Sequence, residues 1–238
     1  MTELAGLKTT LRTMADAEYA VTASSFFKTG KGEYGEGDIF IGIRVPALRE
    51  TARQFTGVPL ADIEKLSLSK IHEERMIALL LLVHRFKRAK RSPETQEEIF
   101  DWYMSHTSGI NNWDLVDLSA PEIPGSWLLD KDRSILLEFA EDDNLWKRRI
   151  AIVATHAFIK RNDFSTTFAV AEILLNDRHD LIHKAVGWML REAGKRDQAA
   201  EEAFLRPRYA AMPRTMLRYA IERFPEAKRK TYLEGRVR

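Results

Sequence analysis

Apolar residues recur at three- and four-residue spacing along nearly the whole chain, and strict alternation is almost absent. The pattern predicts helices and gives strands little support. Predicted helices span 3–15, 17–28, 46–55, 60–67, 71–90, 93–106, 112–120, 131–140, 144–161, 164–176, 179–194, 197–205, 212–223 and 226–234. Stop signals separate them. "TGKGEYGEGD" (29–38) is too rich in glycine and charge for a helix, Pro46 and Pro93 suit first helical turns, and Pro121 with Pro124 interrupts the stretch after Asp117.

Helices this short, joined by loops this brief, cannot bury their apolar faces alone. They predict an all-α superhelical solenoid of stacked antiparallel helical pairs, with a compact irregular α-bundle as the alternative. No clean internal repeat is visible, so the solenoid rests on helix count and spacing. Residues 1–238 read as a single domain, and the inner helices of such an array would line one concave surface able to follow an elongated ligand.

At 238 residues and 45% hydrophobic content the chain can bury a sizeable core. It has no cysteine, which excludes a disulfide framework and a thiolate zinc site. The six histidines (72, 84, 106, 156, 179, 183) lack metal-ligand pairing, and "HEERM" at His72 lacks the second histidine of a zincin. No metal or cofactor is expected, because the glycines at 30, 32, 35 and 37 lack the strand-then-helix setting of a nucleotide loop. Neither a membrane span nor an export signal is read, so a cytoplasmic protein is expected.

Charge changes the picture further. Residues 1–143 hold 17 Lys/Arg against 24 Asp/Glu, whereas residues 144–238 hold 20 against 11. A basic second half implies an anionic partner, provided the cations share a face; the bland alternative is a solvated surface. In "HDLIHKAVGWMLREAGKR" (179–196), Lys184, Trp188, Arg191 and Lys195 follow spacings of four, three and four and project together, while Ile182, Ala185, Val186, Met189 and Leu190 form the core face. A tryptophan among cations suits stacking on, or gripping, a sugar and its phosphates; packing against a neighbouring helix is the structural alternative. "NLWKRRIAIVATHAFIKR" places Trp146, Arg149, Val153, His156 and Lys160 in one stripe, and "MPRTMLRYAIERF" sets Arg214 and Arg218 one turn apart. "HRFKRAKR" (84–91) is basic too, but it ends a helix, where cations favour the terminal carbonyls.

"GINNWDLVDLSAPEIPG" (109–125) sets Asp114 and Asp117 beside Trp113. Asn111 or Asn112 is a natural N-cap there, and Asp114 in the first turn reads as structural, favoured by the helix dipole. Asp117 lies one turn after Trp113 on the same face. Paired acids can perform hydrolysis, yet on helices they are too frequent to show it by spacing alone.

"NNWDLVD" (111–117), "NLWKRRIAI" (144–152) and "HKAVGWMLREAGK" (183–195) together resemble the signature regions of the AlkD-type DNA alkylation repair proteins, the HEAT-like-repeat alkylpurine DNA glycosylases. "IFIGIRVPALRE" (39–50) is similar to their N-terminal portion and "MPRTMLRYAIERF" to their last repeat, so the likeness runs in order from about Ile39 to near Phe224. The resemblance implies HEAT-like repeats with a basic concave groove, duplex DNA carrying alkylated purines as substrate, and action as a monomer. It makes Asp117 the catalytic carboxylate, Trp113 and Trp188 the aromatic pair beside the lesion, and Arg149 a phosphate-contacting partner. Lys184, Arg191, Lys195, Arg214, Arg218, His156 and Lys160 are the expected DNA-binding residues. "GKGEYGEGD" departs from the family in length, and Phe26 or Phe27 stands where a family tyrosine is expected. The rival reading is a noncatalytic helical-repeat scaffold that binds DNA or a protein; it leaves Asp117 among cations unexplained.

Overall fold

The computed structural model describes residues 2–237. Among these the regular structure is helical, and the β contribution is one isolated parallel bridge between Ile39 and Ile71. The helices pack against one another, as in a helical-repeat protein. Contacts group the chain into two compact units that divide between Ile123 and Pro124.

The first unit contains α1 (Glu3–Thr13), α2 (Ala17–Phe26), α3 (Val45–Gln54), α4 (Leu60–Ser67), α5 (His72–Arg88), α6 (Pro93–Ser105) and α7 (Trp113–Ser119). Its centre is α5, buried at every position from His72 to Val83. A helix apolar on all sides must be surrounded. α3, α4, α6 and α7 all pack on it. Its first turn is charged as well as buried, and each charge has an assigned use. Glu73, 2% exposed, accepts hydrogen bonds from the backbone N–H groups of Ile41 (3.1 Å), Gly42 (2.8 Å) and Ile43 (3.2 Å). That turn demands glycine. Gly42 has φ of 85°, and a side chain there would collide with the carbonyl oxygen of Asp16. Gly42 and Ile43 thus belong to a loop pinned to α5 just before α3, whose first turn holds Pro46.

The second unit contains α8 (Pro124–Trp127), α9 (Ser134–Glu141), α10 (Leu145–Ala154), α11 (His156–Ile159), α12 (Ser165–Ile173), α13 (Asp180–Arg196), α14 (Gln198–Leu205), α15 (Arg214–Ala220) and α16 (Glu226–Leu233). Its hub is α13, packed by α10, α11, α12, α14 and α15. The core face predicted for it is correct: Ile182, Ala185, Val186, Met189 and Leu190 are all buried. Gly187 extends that face, and any side chain there would strike the Met216 carbonyl and Tyr219 on α15.

The predicted helix 144–161 is two helices. It breaks at Thr155, whose hydroxyl donates to the Ile152 carbonyl at 2.7 Å, a local bond that competes with helical continuation. The predicted helices 164–176 and 212–223 tighten into 3₁₀ turns at Leu174–Asn176 and Ile221–Arg223. Pro124, read as an interruption, opens the short α8. Among the described residues no helix is long and apolar enough to cross a membrane.

Candidate active site

α7 is started by Asn112, whose buried side-chain oxygen accepts the Trp113 N–H at 2.8 Å. Asn111 turns away and donates from Nδ2 to Asp38 at 3.0 Å. Of the two carboxylates, Asp114 is structural. Its Oδ2 lies 2.8 Å from His72 Nε2, while Asp38 approaches His72 Nδ1 at 3.4 Å and pairs with Arg75 at 2.7 Å. Burial disfavours charge on His72, yet the hydrogen bonds it donates to Asp114 and Asp38 outweigh it and raise its pKa above the ordinary histidine value. Burial likewise opposes ionisation of Asp38, but His72, Arg75 and Asn111 hold it below the usual carboxylate range.

A column of rings stands on this ionic cluster. Phe40 stacks on His72 (4.4 Å between centroids), Phe27 stacks on Phe40 (5.0 Å), and Phe27 stacks in turn on the Trp113 indole (5.2 Å, 24° between planes). Phe26, 62% exposed, meets Trp113 edge-on at 5.9 Å. Trp113 is therefore supported on one side and half-exposed. Sequence reasoning picked out Phe26 and Phe27 but missed Phe40 and His72, whose place in the column depends on chain folding across many residues. Asp117 is half-buried on α7, and its charge adds to the upward push that burial gives the Tyr103 phenol. That phenol bonds Ser119 at 2.9 Å, tying α6 to α7.

The second unit presents the other indole. Trp188 is half-exposed on α13, with the His156 ring 6.0 Å from it. Its Nε1 donates to Glu192 at 3.2 Å, and Glu192 also receives Lys195 at 2.6 Å and Arg191 at 3.5 Å. The expected basic stripe is therefore mixed in charge: Arg191 pairs with Glu222 as well, and Lys184 with Asp180 at 2.6 Å. Arg214 and Arg218 are exposed on α15. The stripe expected in residues 144–161 needs correction. Trp146, Arg149 and Val153 lie in the core, whereas beyond the break at Thr155 His156 is half-exposed and Lys160 exposed. Arg149 is 5% exposed and donates to the Leu181 carbonyl at 2.6 Å, which anchors the start of α13.

Two tryptophans, Trp102 and Trp146, are each 8% exposed and serve the cores. Trp113 and Trp188, by contrast, sit at the surface, each followed one turn later by an acid, Asp117 and Glu192. In each unit an electron-rich ring and a carboxylate thus occupy one helical face. Such a pair attracts a cation and stabilises positive charge as it develops.

A family model described as DNA alkylation repair enzyme matches residues 7–224. Among solved structures, a protein described as "Predicted DNA alkylation repair enzyme from Enterococcus faecalis" has the same fold, with a TM-score of 0.70 and 19% identity over 90% of this chain and 98% of that one. No curated protein matches.

Proposed function

Because the chain belongs to the DNA alkylation repair enzyme family, we propose that it is a DNA glycosylase that hydrolyses the N-glycosidic bond of positively charged N3- or N7-alkylated purines in duplex DNA. The observation that carries this reading is the surface indole with a carboxylate one turn on, Trp113 with Asp117, matched in the second unit by Trp188 with its acid.

The chemistry suits these groups. An alkylated purine already carries a positive charge, so its bond to C1′ breaks with the electron pair moving onto the base, which leaves neutral. No protonation of the leaving group is needed. The sugar becomes oxocarbenium-like, and water adds to C1′ as it gives up a proton. Asp117, a fixed anion in a partly desolvated place, stabilises that sugar and is positioned to orient the water. Trp113 in the first unit and Trp188 in the second each offer a ring face that favours a cationic centre over a neutral one, by about 0.5–2 kcal/mol. Lys160, Lys184, Arg191, Lys195, Arg214, Arg218 and His156 supply phosphate contacts, which give affinity without sequence reading. Arg149, bound to the Leu181 carbonyl, holds the start of α13, and with it Trp188, in register.

Incubation with methylated duplex should release 3-methyladenine and 7-methylguanine. Asp117→Asn should bind the duplex normally and slow single-turnover release by about 10²–10³-fold, the cost of removing one preorganised group. Release of neither base by the unaltered protein would leave a noncatalytic scaffold. An unchanged rate in the variant would take Asp117 out of the reaction.

A further inference from the structure

We infer that Glu192 is a specificity-determining residue: bound to the Trp188 indole N–H, its carboxylate makes that ring an electron-rich receptor for cationic lesions over neutral ones. The inference rests on the proposed glycosylase reading and adds a residue to it.

The geometry is local to α13. Trp188 and Glu192 are one turn apart on a single helix, and the indole Nε1 donates to Oε1 at 3.2 Å. An indole has one donor and no acceptor, so this bond fixes the ring's rotation about its side-chain axis. The bond also polarises the ring. Negative charge at the nitrogen pushes electron density toward the π-face, and cation–π attraction grows with the negative potential of that face. Burial of the Glu192 side chain, which is 16% exposed, opposes its charge, but Lys195, Arg191 and His156 hold its pKa below the usual glutamate value. It is therefore anionic at neutral pH.

Its other partners sharpen the effect. Lys195 and Arg191 are the cations expected to reach phosphates, and in the free protein both are bound to Glu192. A duplex competes for them. Each one that moves to a phosphate strips a counter-charge from Glu192, leaving its negative charge more fully expressed beside Trp188. The carboxylate thus weakens binding to DNA in general and strengthens it where a positive centre lies against the indole. A residue that merely supported the fold would lower both together.

Two duplexes separate these effects: one with a cationic pyrrolidine abasic analogue and one with a neutral tetrahydrofuran analogue. Glu192→Gln keeps the shape and an acceptor for the indole while removing the charge. It should bind the neutral duplex as well or better, yet lose about 3- to 10-fold of the preference for the cationic one, the size of a single partly desolvated cation–π contact. The Trp188 emission, isolated as the difference from Trp188→Phe, should move to shorter wavelength, because an anion at the pyrrole end stabilises the indole excited state. Equal preference in Glu192→Gln and the unaltered protein overturns the inference, as does parallel loss of both affinities with a lowered melting temperature. Failure of the unaltered protein to release 7-methylguanine counts against the glycosylase reading itself. Release by the unaltered protein with an unchanged preference in the variant counts against Glu192 alone.

Discussion

Replacing Glu201 with glutamine should stabilise this protein, increasingly so as pH rises. Glu201 sits on α14, 1% exposed, with its carboxyl against Gly194 of α13, where any added side chain would collide with it. Its Oε1 has no hydrogen-bond partner. Burial, reinforced by the neighbouring charge of Glu202 and only partly relieved by Arg191, pushes its pKa from 4.5 up to about 9. The folded protein therefore holds the carboxyl protonated, whereas the unfolded chain ionises it above pH 4.5. The contribution to stability is complete below that value and is lost progressively as pH climbs toward about 9. Each unit of separation is worth about 1.36 kcal/mol. At pH 7 the cost approaches about 3 kcal/mol, while near pH 5 it is below about 1 kcal/mol. Glutamine has the same shape and no charge to lose, so Glu201→Gln removes the pH-dependent part. Urea denaturation followed by circular dichroism near pH 5 and pH 7 measures the difference directly. A variant no more stable than the parent at pH 7, or an advantage that does not grow between the two pH values, would refute the reasoning.

Gly42→Ala should destabilise by more than about 2 kcal/mol, since the left-handed backbone costs roughly 1–2 kcal/mol before the collision with Asp16 is counted; a urea midpoint within experimental scatter of the parent would contradict this. His72→Gln should cost about 1–3 kcal/mol, because Asp114 loses its charged partner while Asp38 keeps Arg75 and Asn111. Because the folded-state pKa of His72 is raised, that penalty should be full below about pH 6.5 and shrink as pH rises through the folded value; a penalty that grows toward alkaline pH would reverse the assignment of charge. Trp188→Ala should slow excision while leaving the melting temperature nearly unchanged, because the ring is half-exposed on α13; a large fall would place it in the core.

Much of the fold was legible because helical periodicity is a local property. The core face of α13 could be read from five apolar positions, and the cap of α7 from two asparagines. The break at Thr155 was not, since a hydroxyl that bonds back to its own helix leaves the apolar spacing intact. The candidate site divided in the same way. Trp113, Asp117 and Trp188 stood out through spacing and family resemblance. The pairing of Arg191 with Glu222, or the seat of His72 between Asp38 and Asp114, joins residues far apart in sequence, which periodicity cannot see. The burial of Arg149 was not legible for a related reason: helical phase placed it on a face, but which neighbour covers that face is a tertiary fact.

The turn held by Glu73 has a practical consequence. With Ile41, Gly42 and Ile43 fastened to α5, and Asp38 clamped by Arg75, the stretch from Gly30 to Gly37 is anchored at its downstream end. Gly32 faces open space. A dye or surface tether attached beside it would stay clear of α5, yet Gly35, whose N–H bonds the Lys28 carbonyl at 3.0 Å and whose backbone packs on that of Phe27, couples the loop to the rings around Trp113.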